Sequence, residues 1–152
     1  MMETSNRTVV TFQSDSFNTS EPKDYFINDC CFGDDLARWM IERLGSSGVE
    51  TDSEPGQEDF GWYFNFKLTE NFYCVVLGFR PGEEGEGEWV AWLERARGFV
   101  ASVFGYRKRE IEVAACNVLN AALQERSVIR NVRWHTRANF DRGIEDQFSE
   151  KP

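Results

Sequence analysis

The stretch Phe60-Gly61-Trp62-Tyr63-Phe64-Asn65-Phe66-Lys67-Leu68, followed by Thr69-Glu70-Asn71 and then by Phe72-Tyr73-Cys74-Val75-Val76-Leu77-Gly78-Phe79, decides the fold. In its first part Phe60, Trp62, Phe64, Phe66 and Leu68 fall on one side, and Tyr63, Asn65 and Lys67 on the other. That period of two is the mark of a strand with one buried face. The short polar segment predicts a hairpin. Phe72 to Phe79 is apolar on both faces and reads as a central strand. An acidic, Gly-rich loop, Pro81 to Glu88, then leads to a third strand, Trp89 to Ala96. The three strands make an antiparallel meander.

Working outward, Thr8 to Phe12 is rich in strand-forming residues and reads as a first strand. The polar stretch Ser14 to Asp29 is long for a plain loop, so it either carries a helical turn near Pro22 or serves a purpose. Gly33-Asp34-Asp35 opens a helix with negative charge at its N-terminus. Leu36, Ala37, Met40, Ile41 and Leu44 form its apolar stripe, Trp39 points off that stripe, and Gly45 and Gly48 end it. Val49 to Asp59 is an acidic connector. Arg109 to Gln124 is a second helix, with Ile111, Ala114, Ala115, Val118, Leu119 and Ala122 on one face. Val128 to His135 reads as the last strand. The segment Gly98 to Tyr106 is ambiguous. The order β-α-β-β-β-α-β predicts a single α+β domain, residues 7–136, in which two helices pack on one face of an antiparallel-rich sheet of about five strands. Residues 1–6 and 137–152 read as polar, loosely ordered tails.

The chain has 152 residues, enough to bury a real core, and 13 Phe and 5 Trp to fill it. Its formal net charge is −9. That argues against general nucleic-acid binding, which rests on neutralising phosphates, and against electrostatic attachment to anionic lipid. The longest apolar run, Phe72 to Phe79, is far shorter than the ~20 residues of a membrane span. The N-terminal residues lack the pattern of a secretory signal. Cys30, Cys31, Cys74 and Cys116 show no CxxC spacing and read as reduced thiols. A cytoplasmic location is expected.

Charge is uneven: residues 1–90 hold 18 acidic and 6 basic side chains, whereas residues 91–152 hold 8 and 11. The excess gathers at Glu50 to Asp59 and at Glu83, Glu84, Glu86 and Glu88. Solvated loops explain such runs, and so does an acidic contact surface that steers a basic partner. On the second reading Glu58, Asp59, Trp62, Tyr63, the four loop glutamates and Trp89 are the candidate contact residues. Aromatics on a sheet face away from the helices also predict a homodimer through Tyr63 and one of Trp89 or Trp92.

Signals for chemistry are weaker. Glu58 and Asp59 are adjacent, and adjacent residues on an extended chain point to opposite faces. The bland explanation is a strand start, with Gly61 relieving crowding beside the Trp62 indole. Cys30 and Cys31 precede a helix start, where a thiol is activated, and His135 is the sole histidine that would serve as its base. A pocket near Cys30/Cys31, Glu58/Asp59 and His135 is therefore the enzyme or small-ligand alternative. Arg107, Lys108 and Arg109 at a helix start form a candidate anion site, with compensation by Glu110 and Glu112 as the plain alternative. No metal-ligand spacing and no phosphate-cradling motif is present, and no cofactor is expected.

In size, acidity and α+β order the chain resembles small bacterial immunity and inhibitor proteins; the likeness is one of architecture and charge, without a shared motif. The acidic loops, the aromatic supply and the lack of a convincing catalytic set give the expectation of a non-enzymatic binding or inhibitor-like module that contacts a basic protein partner.

Overall fold

The computed structural model describes residues 6–27, 31–58, 61–82, 86–95 and 111–152. Among these residues ten elements follow one another: β1 (Arg7–Gln13), α1 (Asp34–Ser46), β2 (Glu50–Thr51), β3 (Gly56–Glu58), β4 (Gly61–Leu68), β5 (Asn71–Arg80), β6 (Glu88–Arg95), α2 (Val113–Ala122), β7 (Arg130–Thr136) and α3 (Arg137–Asp141). The fold is α+β, with one antiparallel sheet of seven strands in the order β2-β4-β5-β6-β1-β7, β3 also pairing with β4. The meander β4-β5-β6 is its centre, as the alternation around Phe64 predicts. The strand count exceeds the expected five because the acidic connector contributes β2 and β3, both laid along β4.

The alternating residues take up their expected sides. Trp62, Phe64 and Phe66 of β4, Tyr73, Val75 and Leu77 of β5, Trp89, Ala91 and Leu93 of β6, and Val10 and Phe12 of β1 are buried in one core. A tight turn joins β4 to β5, with Thr69 at a φ of 56° between paired Leu68 and Asn71. Helix α1 buries all five residues of its stripe against this face. Past its end Gly48 adopts a φ of 86°, and the Val49 N–H donates back to the Leu44 carbonyl at 3.0 Å.

Helix α2 is shorter than the expected 109–124 and is turned slightly. It buries Ala115, Cys116, Leu119 and Ala122, leaves Ala114 exposed and Val118 half-buried. Cys116 replaces Ala114 on the inward face. The small side chains let α2 sit close to the sheet, and its Asn120 Oδ1 accepts from the Trp134 indole N–H at 2.9 Å.

Two segments that look like plain polar chain cover parts of the sheet. Residues 14–27 close one end of the helix-side core. Phe17 meets Trp39 and Trp89 edge-on at 5.7 and 6.2 Å, which accounts for the off-stripe position of Trp39. Residues 137–152, expected to be a loose tail, instead form α3 and return to pair with β7: the Trp134 N–H donates to the Ser149 carbonyl at 2.7 Å, and the Ser149 N–H to the Trp134 carbonyl at 2.9 Å. Polar composition hid this segment because only Phe140, Ile144 and Phe148 interrupt it. No helix among the described residues is long and apolar enough to cross a membrane.

Candidate functional site

The strongest surface feature lies where residues 21–27 run past β3. Gln57 of β3 binds that strap through both ends of its amide. Its Nε2 donates to the Tyr25 carbonyl at 2.6 Å, and its Oε1 accepts from the Ile27 N–H at 2.7 Å. The side chain thereby imitates the donor and acceptor of a neighbouring strand. A turn after Pro22, closed by the Phe26 N–H to the Lys23 carbonyl at 3.0 Å, drives Phe26 inward onto Trp62 at 5.5 Å. Tyr25 and Ile27 flank that anchor and face outward, 51% and 63% exposed.

Tyr25 is held in place despite its exposure. Its ring stands edge-on to Trp62 at 6.2 Å, and its hydroxyl donates to the buried Asp34 carboxylate. Arg38 bonds the same carboxylate at 3.2 Å and Glu54 at 3.1 Å. Asp34, first residue of α1, thus joins the strap, the helix and the acidic connector. The hydrogen bond to Asp34, followed by burial, raises the Tyr25 pKa, so the phenol keeps its proton. Glu21 and Asp24 on the strap, and Glu54 and Glu58 on the acidic connector, are exposed, with Glu54 ion-paired to Arg38.

The sequence-derived contact residues divide. Glu58 is exposed on β3 beside the strap. Trp62 is buried, its indole N–H donating to the Cys31 carbonyl at 2.9 Å, so it supports the surface from below. Trp89 is fully buried between Phe17 and Phe79, which removes it from any contact surface; strand alternation places it on the helix side and Trp92 on the other. Tyr63 is half-buried on the outer face, its ring against Gly56. Glu86 is exposed and ion-paired with Arg130, and Glu88 is ion-paired with Arg80 at 2.7 Å. Asp59, Glu83, Glu84, Arg107, Lys108 and Arg109, like Cys30 and segment 98–106, lie outside the described residues.

Among the described residues of the enzyme alternative, Cys31 and His135 are not brought together. Cys31 lies by Trp62 on the helix side of β4, whereas His135 projects from the other face of β7. Four strand steps separate β4 from β7, roughly 19 Å at the usual strand spacing. Burial pushes the thiols of Cys74 and Cys116 up to about 12, so neither is a ready nucleophile. Among the described residues no three His, Cys, Asp or Glu side chains gather at metal-binding distance. A cleft of about 380 Å³ lies between residues 13–19 and the β5–β6 connection, over Phe17 and Phe79 with Asp15 and Glu86 at its rim. Both carboxylates are engaged by Arg130.

The homodimer face is partly occupied by the chain itself. Tyr63, Val76, Trp92, Val9 and His135 form one cross-strand row on the outer face. Phe140 and Phe148 cover its His135 end, and Arg137 stacks on Trp92 at 5.4 Å.

Tyr25, Ile27 and Gln57 escaped the sequence reading, which saw Asp34 only as charge at a helix start. Their signal is the pattern Tyr25-Phe26-Ile27, three large apolar residues in an otherwise polar segment. Comparison of the chain with protein-family models, with curated proteins and with solved structures returns no match.

Proposed function

We propose that the chain is a non-enzymatic binding module of the cytoplasm, which contacts a basic protein partner through the surface around Tyr25. The observation that carries this reading is Tyr25 itself: a large aromatic, half exposed, yet fixed by Asp34, Gln57 and Trp62. Interface hot spots are enriched in tyrosine, and an anchor already held in its bound position loses little entropy on association. Exposed carboxylates on the same strap and on the connector it crosses, Glu21, Asp24, Glu54 and Glu58, favour a cationic partner and speed its approach. Free thiols at Cys74 and Cys116 suit a reducing compartment.

Immobilised protein incubated with source-cell lysate at physiological and at high salt tests this. A basic protein retained at physiological salt, released at high salt and not retained by Tyr25→Ala or by Glu54→Gln/Glu58→Gln is the expected result. Truncating such an anchor costs about 2 kcal/mol or more, a loss of roughly thirtyfold in affinity. Retention of no basic protein, or equal retention by the variants, overturns it.

A further inference from the structure

The outer face of the sheet holds a buried histidine beneath the end of the chain. His135 is 1% exposed. Its Nε2 lies 2.9 Å from Thr11 Oγ1 on β1, and its Nδ1, equally buried, has no hydrogen-bond partner among the described residues. Phe140 of α3 and Phe148 pack on the ring at 5.7 and 6.4 Å. The covering segment is held at three further points: Glu145 on Arg80 at 2.7 Å, Phe148 under the Arg133 guanidinium at 4.6 Å, and Ser149 on the edge of β7.

We propose that residues 137–149 form an acid-released strap: protonation of His135 drives this segment off the outer face, baring Val9, Val90 and the edge of β7 at Trp134. The neutral ring suits its site as the Nε2–H tautomer, which donates to Thr11 Oγ1 and leaves no proton on the unpartnered Nδ1. The imidazolium does not. It carries a second N–H at Nδ1, with no acceptor there and two phenyl rings above it. Lifting the segment lets water reach that atom.

The charged groups around the ring leave this asymmetry in place. Burial lowers the affinity of the covered ring for a proton; Glu145 of the strap and Glu88 of β6 oppose that, while Arg80 of β5 and Arg133 of β7 reinforce it. Both carboxylates are bound by Arg80. Arg7 stands at the end of β1 opposite Thr136, and Arg137 rests on Trp92. The covered ring therefore titrates below the ordinary value of 6.5. The closed strap is fully favoured above 6.5 and loses ground as pH falls below it, by up to about tenfold per pH unit, until the covered ring itself is protonated. Arg80 holds the Glu145 carboxyl below its ordinary 4.5, so Glu145 stays charged through the window in which the histidine acts and its own titration does not release the segment.

Amide signals of the full chain in two-dimensional NMR, followed from about pH 7.5 to pH 5, test the strap. The Ile144 and Ser149 signals are expected to move to disordered-chain positions with a midpoint below 6.5, while Phe64 and Val75 stay in place. His135→Phe retains an aromatic ring without the proton and should keep the strap closed throughout; His135→Gln serves if that variant does not fold. Phe148→Ala should raise the pH of release. Strap signals that do not move by pH 5, release that persists in the His135 variants, or loss of the core signals together with those of the strap would each overturn the proposal.

Discussion

Gly61 lies against the carbonyl of Leu77, so closely that a Cβ added at Gly61 would overlap the oxygen. Its φ of 157° adds to the demand for glycine. The crowding that requires glycine at the start of β4 comes from the backbone of β5, rather than from the Trp62 indole beside it. Gly61→Ala should destabilise the protein by about 2–4 kcal/mol, because neither the strained dihedral nor the neighbouring backbone can yield cheaply. Denaturant unfolding checks this; a midpoint equal to wild type would contradict the close approach.

Phe64 sits fully buried at the middle of β4, paired with Val75. Replacing it with alanine leaves a cavity between sheet and helices and should cost roughly 3–5 kcal/mol. The same replacement at Phe72, on the outer face and 51% exposed, should cost less than about 1 kcal/mol. Equal unfolding midpoints for the two variants would refute the assignment of faces.

At Cys74 and Cys116 the thiol is pushed up to about 12, chiefly by burial. At neutral pH the thiolate fraction is then on the order of one part in 10⁵. Iodoacetamide should label both slowly in the native protein and rapidly once denaturant is added, as read by mass spectrometry of tryptic peptides. Rapid native labelling of Cys116 would show that α2 does not cover it.

Gln57→Ala removes both hydrogen bonds between β3 and the strap. These bonds are exposed, so global stability should fall by only about 1 kcal/mol. The local effect should be larger: hydrogen exchange at the Ile27 amide should accelerate well beyond that at Val75. An unchanged Ile27 rate would mean that Phe26 on Trp62 alone holds the strap.

Phe60 to Phe79 specified the heart of the fold by itself, because a period of two in large apolar residues has one stable solution, a strand with one side in a core. The stripe of α1 did the same at helical spacing. Local pattern could not say that Glu50–Thr51 and Gly56–Glu58 would become strands, since their pairing depends on the free edge of β4. Nor could it assign the tail, whose few apolar residues gain their value from a distant row of side chains on the sheet. The candidate site was legible only in its charge. Glu54 and Glu58 were visible as acidic residues, and Trp62 as an aromatic. The alternation of β4 already placed Trp62 on the buried face; that Tyr25 would be exposed was decided by tertiary structure. Phe26 takes the place on Trp62, Gln57 grips the backbone to either side, and the residues flanking a buried anchor on a fixed strap must face water.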